Sequence, residues 1–336
     1  MSEHDSMIAI EISSFGGPGV LKPAERPKPA PGSGEVLIRV EAAGVSRADL
    51  MQRQGKYPPP PGASDIPGLD VAGVIESTGA GVRNWRPGDR VCAIIAGGGY
   101  AEYCAVPSVQ ALPIPGGWTA IEAATLPENL FTVYDNLIAR AALHSGESVL
   151  IHGGASGIGS TAIMVSRAWD AKPFVTAGTR EKCEACLRLG AEHAINYKES
   201  DFVEEVKKIT SGRGVDVIVD LVGGAYLERN LETLAPDGRL SIVATQGGRA
   251  AQLNLTTLMT KRARVLGSTM RSRTSGQKGE IAQCLLRDVW PILPAKNPIR
   301  PVIDRIFPLE DARLAHERLE GGEHIGKIVL ATAGHK

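Results

Sequence analysis

The sequence predicts an α/β protein in which a doubly wound parallel sheet is joined to a second, β-rich and barrel-like domain. Three observations predict it. From residue 148 onward, short apolar runs alternate regularly with helical stretches, the pattern of strands feeding crossover helices. Residues 1–125 instead carry many short strand-like runs separated by glycine and proline turns. The length, 336 residues, is too great for one small core and fits two domains.

In the first domain Ile8–Ile12 and Glu35–Val45 read as strands. The segment between them, LKPAERPKPAPGSGE, is expected to be loop because of its prolines and glycines. Arg47–Gln54 reads as a short helix, followed by the turn GKYPPPPGASDIPG. Pro58–Pro61 hold the backbone extended and stiff and push Tyr57 toward an extended conformation. A stiff loop carrying one tyrosine can deliver its hydroxyl to a fixed place. Val71–Thr78, Arg90–Ile95 and Tyr100–Val106 add strands. Helical pattern then covers Trp118–Arg140, interrupted near Pro127, and the domain boundary is expected at 125/126.

Beyond it, strands are expected at 148–152, 173–177, 194–197, 215–222, 239–244 and 264–270, with helices at 157–169, 180–189, 200–210 and 225–234. A helix at 279–292 and a closing strand–helix–strand are expected to return to the first domain. The expected domains are therefore 1–125 with 271–336, and 126–270.

The first strand of the alternating region ends in Gly153 and Gly154, with Gly157 and Gly159 following; Ser156 stands where G-x-G-x-x-G has its middle glycine. A glycine turn between such a strand and helix binds a pyrophosphate on backbone N–H groups, here those of Gly157 and Ile158, with Ser156 beside them. This is a Rossmann dinucleotide unit. At the end of the next strand an acidic residue would select NAD, but Gly178 and Thr179 stand there, followed by basic Arg180 and Lys182 with Glu181 between them. That favours NADPH; the bland reading of the two cations is an exposed helix start. Tyr197, after the third strand, could pack against the same ribose phosphate or be a surface aromatic.

Composition excludes other classes. Apolar residues are 43% and charged residues 22%, with 37 basic and 37 acidic side chains, so there is no basic field for nucleic acid or an anionic membrane. The polar run Arg271–Lys278 lacks interleaved aromatics and reads as a solvated loop. No stretch has the apolar length for a bilayer span, and MSEHDSMIAIEI has no signal-peptide core, so the expectation is cytoplasmic. The five cysteines are scattered and expected to be reduced; Cys183 and Cys186 fall in a helical pattern.

RADLMQRQGKYPPPPGAS (47–64), GGGYAEYCAVP (97–107), LIHGGASGIG (150–159), INYKESDF (195–202), MRSR (270–273) and HIGKIVL (324–330) together give the chain its family likeness. It resembles the zinc-independent quinone oxidoreductases of the medium-chain dehydrogenase/reductase superfamily, and within them the tumour-suppressor-inducible NADPH quinone oxidoreductase subfamily. The resemblance implies a GroES-like catalytic domain and a homodimer formed through the nucleotide domain. It implies that Tyr57 lies over the nicotinamide as hydrogen-bond donor, with Ser156 the second catalytic choice. Ser46, Thr132, Thr245, Gln246, Met270 and His324 carry over to the nicotinamide side, and Gly178, Thr179, Lys182 and Tyr197 to the adenosine side. Zinc members have a cysteine and a G-H-E motif where this chain has Ser46 and Gly68-Leu69-Asp70, and the four-cysteine lobe is missing, so no metal is expected. Nor do the histidines, at 4, 144, 152, 193, 316, 324 and 335, have ligand spacing; His152 reads as structural. The expected function is NADPH-dependent reduction of a quinone. The alternatives are an enoyl or 2-enone reductase on the same scaffold, and a non-catalytic NADPH-binding structural or RNA-binding protein.

Overall fold

The computed structural model describes residues 6–293 and 299–332. His4 and His335, and the outermost residues of the expected first domain, lie outside them.

In chain order the strands are β1 (Ser6–Ile12), β2 (Leu21–Pro27), β3 (Glu35–Val45), β4 (Asp70–Thr78), β5 (Arg90–Ile94), β6 (Tyr103–Pro107), β7 (Ala111–Pro113), β8 (Ser148–His152), β9 (Lys172–Ala177), β10 (His193–Asn196), β11 (Val215–Asp220), β12 (Leu234–Ile242), β13 (Arg264–Gly267), β14 (Ile303–Pro308) and β15 (Lys327–Ala331). The helices are α1 (Arg47–Arg53), α2 (Ala120–Ala123), α3 (Pro127–Val133), α4 (Gly157–Ala168), α5 (Arg180–Arg188), α6 (Phe202–Ile209), α7 (Leu227–Thr233), α8 (Leu255–Thr260), α9 (Ser275–Asp288) and α10 (Ala312–Glu320). The chain folds as two compact units: 1–131 with 270–291 and 300–336, and 132–269 with 292–299.

The first unit contains a seven-stranded sheet, β14-β15-β3-β4-β5-β7 with β6 added to β3, and a separate β1-β2 ribbon. Apart from the parallel β14–β15 pair the partners are antiparallel. One core gathers Met7, Ile10, Leu21, Tyr100, Leu309 and Ile328; another gathers Val36, Ile38, Val71, Ile75, Val91 and Val106. The strand β2 corrects the expected loop: Leu21–Pro27 pairs along its length with β1, Ile12 opposite Leu21 and Ser6 opposite Pro27. A ribbon strand with only one neighbour can carry Pro23 and Pro27, because the missing N–H groups are not asked to pair on a second side.

In the second unit the sheet is six-stranded and parallel, in the order β10-β9-β8-β11-β12-β13. Numbered from its first strand this is 3-2-1-4-5-6, whose direction reverses between β8 and β11, where ligands bind outside the carboxyl ends of the strands. Leu150, Phe174, Phe202, Val206, Ile218, Leu231 and Leu240 form its core. The helix α8 is not expected from the sequence pattern, β13 ends at Gly267 rather than 270, and β11 and β12 differ in their bounds. β11 stops at Asp220 because its carboxylate accepts the N–H groups of Val222 (2.6 Å) and Gly223 (3.1 Å), turning the chain. β12 starts at Leu234 rather than 239, and the turn-like Asp237-Gly238 lies inside it. Among the described residues no helix is long and apolar enough to cross a membrane.

Candidate active site

In the second unit the sequence-predicted residues collect where the parallel strands end. Ser156, Gly157 and Ile158 follow β8, Gly178 and Thr179 follow β9, Tyr197 follows β10, and Thr245 and Gln246 lie beyond the end of β12. Because all six strands run the same way, these loops open at one edge of the sheet. Ser156 is the N-cap of α4, its Oγ accepting Gly159 N–H at 3.0 Å. The first turn leaves the N–H groups of Gly157 and Ile158 without intrahelical acceptors, facing the helix's positive end. Gly159 lets the turn close: a Cβ there would stand 2.3 Å from the Gly153 carbonyl oxygen.

Thr179 caps α5 by accepting Lys182 N–H at 3.2 Å. Arg180 points away into solvent and pairs with Glu184 at 3.1 Å. Tyr197 is 45% exposed, and its hydroxyl lies over Gly178, 2.6 Å from where a Cβ would be. Gly178 is therefore the floor on which this aromatic rests. Thr132 is buried near the end of α3, and its carbonyl accepts Asn136 Nδ2 at 2.9 Å from the π-helical turn that follows.

Beneath the reversal point runs a buried network that the sequence does not announce. His152, at the end of β8, donates from Nε2 to Asn230 Oδ1 (2.7 Å) and accepts at Nδ1 from Thr176 Oγ1 (3.0 Å). Asn230 Nδ2 in turn donates to Asp220 Oδ2 at 3.1 Å. Burial pushes the His152 imidazole down to about 4, so it is neutral, and pushes the Asp220 carboxyl up to about 6. The network ties the ends of adjacent strands β8 and β11 to α7. Its only sequence signal is an acid closing the apolar run VDVIVD.

Ser46, Tyr57, Met270 and His324 belong to the first unit. Ser46 caps α1: its N–H (2.8 Å) and Oγ (3.0 Å) both donate to Asp49 Oδ2. Asp49 also accepts Gly68 N–H on Oδ1 (3.0 Å) and the Tyr100 hydroxyl (3.3 Å). Tyr100 meets His316 Nε2 at 3.1 Å, and His316 Nδ1 accepts from Arg53, which pairs with Glu320. Asp70 lies against Lys327 Nζ at 2.9 Å, with Glu128 Oε2 3.7 Å from the same ammonium. Burial raises the carboxyls of Asp49, Asp70 and Glu128, and Lys327 opposes the rise; Glu128, with Asp70 and Asp49 also against it, is pushed up to about 7.

Tyr57 is half-buried in the proline loop. Burial pushes its phenol above the ordinary tyrosine value; Arg271 works against that and Glu128 adds to it. Arg271 donates to the Tyr57 carbonyl at 2.9 Å and places its guanidinium 5.2 Å from the ring centroid. In the run 271–278 Ser272 and 274–277 are exposed as expected, but α9 begins within it at Ser275 and its two ends, Arg271 and Lys278, are buried, 5% and 2% exposed. Their burial was illegible because a run of polar side chains has no periodicity that marks an inward face.

The five cysteines are free thiols. Cys183 and Cys186 are buried on α5, and burial raises both thiols, Cys186 to about 12.

Residues 32–116 match the alcohol dehydrogenase GroES-like domain, and residues 157–287 the family described as zinc-binding dehydrogenase. The quinone oxidoreductase of Lama guanicoe is 36% identical over 330 residues, covering 96% of this chain and 97% of that protein. Among solved structures, Escherichia coli quinone oxidoreductase complexed with NADPH is 29% identical with a TM-score of 0.84, covering 97% of this chain and 99% of that one. A mycobacterial protein complexed with NADPH, also 29% identical, has a TM-score of 0.87 and covers 97% and 100%. With both domains matched and a relative of this identity aligned over nearly its whole length, the chain belongs to the quinone oxidoreductase family of the medium-chain dehydrogenase/reductase superfamily.

Proposed function

We propose that the protein is a zinc-independent reductase that uses NADPH to reduce quinones. The observation that carries this reading is the grouping of Ser156, Gly157, Ile158, Gly178, Lys182 and Tyr197 along one edge of the parallel sheet, in a chain whose relatives are quinone oxidoreductases. The cradle fits the cofactor: glycines stand where a Cβ would close the floor, the helix α4 presents open N–H groups for a pyrophosphate, and Gly178 and Thr179 take the place at the end of β9 where an acid would repel a 2′-phosphate. Thr179 and Lys182 would hold that phosphate beside Tyr197. Thr132, Thr245, Gln246, Met270, Ser46 and His324 would serve the nicotinamide end.

Zinc fits poorly. At the positions where zinc members carry ligands, Ser46 donates its hydroxyl proton to Asp49, Leu69 is apolar, and Asp70 is committed to Lys327. Polarisation of the acceptor then falls to a hydrogen-bond donor. When bound, NADPH supplies the hydride. Tyr57 stays protonated at neutral pH because burial raises its phenol, so it can donate to an acceptor oxygen that gains negative charge. Ser156 is spent on the helix cap and serves the cofactor side.

The test is NADPH oxidation against quinones, 2-enones and 2-enoyl-CoA thioesters. Turnover with quinones alone is expected; preference for enones would move the protein to the alternative reading, and tight NADPH binding with no turnover would sink both. Tyr57→Phe is expected to lower kcat about 10²-fold, the scale of losing one donor to a developing oxyanion. A homodimer is supported by the sheet edge β13, which exposes Val265, and by Leu255 and Met259, exposed on α8. Sedimentation at the monomer mass would overturn it. Five free thiols, four of them buried, support a cytoplasmic location, which cell fractionation checks.

A further inference from the structure

The tetrad of contacts around Arg271 joins segments far apart in the chain. Nη1 donates to the Tyr57 carbonyl (2.9 Å), Nε to the Ala96 carbonyl (2.9 Å) and Nη2 to Gln52 Oε1 (2.6 Å). The guanidinium also faces the Tyr57 ring, 5.2 Å from its centroid. Lys278, itself buried on α9, donates from Nζ to the Arg271 carbonyl at 3.2 Å and so holds the backbone that carries the arginine. Burying a guanidinium against neutral acceptors is costly, and an apolar side chain would fill the space at less expense. What only arginine supplies is a rigid fork reaching several acceptors at once, with a flat cation for an aromatic face.

We propose that Arg271 is the positioning residue for Tyr57: it pins the proline loop by the tyrosine's own carbonyl and steadies the ring by its face, so that the hydroxyl is presented in one place. The proposal rests on the reading of Tyr57 as donor. It makes Lys278 the support of the clamp, and it explains why a loop stiffened by four prolines still needs an anchor. The prolines set the loop's shape, while Arg271 sets where its first residue sits.

A double-mutant cycle tests it. R271Q is expected to lower kcat for quinone reduction about tenfold, as misplacement of a reacting group does, while KM for NADPH changes by less than about twofold. In the Y57F background the same change is expected to cost nothing further, because there is no hydroxyl left to misplace. R271K keeps the cation but lacks the planar fork that spans the three separated acceptors, so it is expected to restore part of the rate; should R271Q fail to fold, the cycle is run with R271K. Amide exchange at Gly55–Tyr57 and Gly62–Ala63 is expected to rise in the Arg271 variant. Equal losses in both backgrounds, or unchanged exchange, would overturn the clamp. An unchanged kcat in Y57F with raised exchange would instead overturn the donor reading and leave the clamp standing.

Discussion

At the scale of single residues, Gly178 and Tyr197 make the sharpest case. A Cβ at Gly178 would press on the Tyr197 hydroxyl, the far end of a half-exposed side chain that can swing away. Gly178→Val is therefore expected to leave thermal stability nearly unchanged while weakening NADPH, because the ring loses its seat at the proposed ribose-phosphate site. Lys182→Ala is expected to raise Kd for NADPH about tenfold, the loss of one charge-assisted contact, with Kd for NADH nearly unmoved. Equal effects on both nucleotides would remove Lys182 from the phosphate site. As candidates these residues stand out in the sequence because the signal is local: a glycine where an acid should be, then a cation three to four positions on. Arg271 and Lys278 were not. Their partners lie up to 219 positions away, and nothing in MRSRTSGQK distinguishes a buried cation from a solvated one.

At the scale of elements, the alternation of strand and helix from β8 to β13 could be read in advance because each element carries its own period and is punctuated by its own glycine or cap. The strand β2 could not, since its pairing with β1 is decided by the partner and overrides its prolines. The C-terminal end of β11 is likewise set by contacts at Asp220, which the chain His152–Asn230–Asp220 ties to β8 and α7. Breaking it at the centre, Asn230→Leu strands a buried imidazole N–H and removes a donor from Asp220. The expected loss is about 2–3 kcal/mol of unfolding free energy at neutral pH, because buried groups left unsatisfied lose their full desolvation cost. Denaturant unfolding measures it. A loss below about 0.5 kcal/mol, the scale of an ordinary surface change, would show that the network is not bracing the β8 and β11 ends.

Over the whole molecule, besides Asp49 and Asp70, whose carboxyls burial also raises, each unit holds one carboxyl pushed up and one buried imidazole pushed down. In the first unit these are Glu128, up to about 7, and His316, down to about 3; in the second, Asp220, up to about 6, and His152, down to about 4. Burial is the leading cause in all four. The two kinds of group act in opposite directions. A carboxyl with a raised folded pKa binds its proton more tightly in the native state, so its stabilisation is complete below the ordinary carboxyl value and is lost as pH rises through the folded one. An imidazole with a lowered folded pKa contributes above 6.5, its ordinary value, and loses that contribution as pH falls toward the folded one. Between the ordinary carboxyl value of 4.5 and 6.5 the slopes of Glu128 and His316 offset each other, and from there to about 7 only Glu128 still slopes, downward. Glu128→Gln keeps the shape and removes the ionisation, leaving Asp70 alone against Lys327. The gain in Tm over the parent chain should therefore widen steadily from pH 4.5 to 8, whereas His316→Gln should be most favourable, relative to the parent, at the acid end. Scanning calorimetry across that range reads both trends. A Tm difference for Glu128→Gln that is the same at every pH would mean that Glu128 ionises as freely in the folded chain as in the unfolded one, and that the three carboxyls around Lys327 do not compete for its charge.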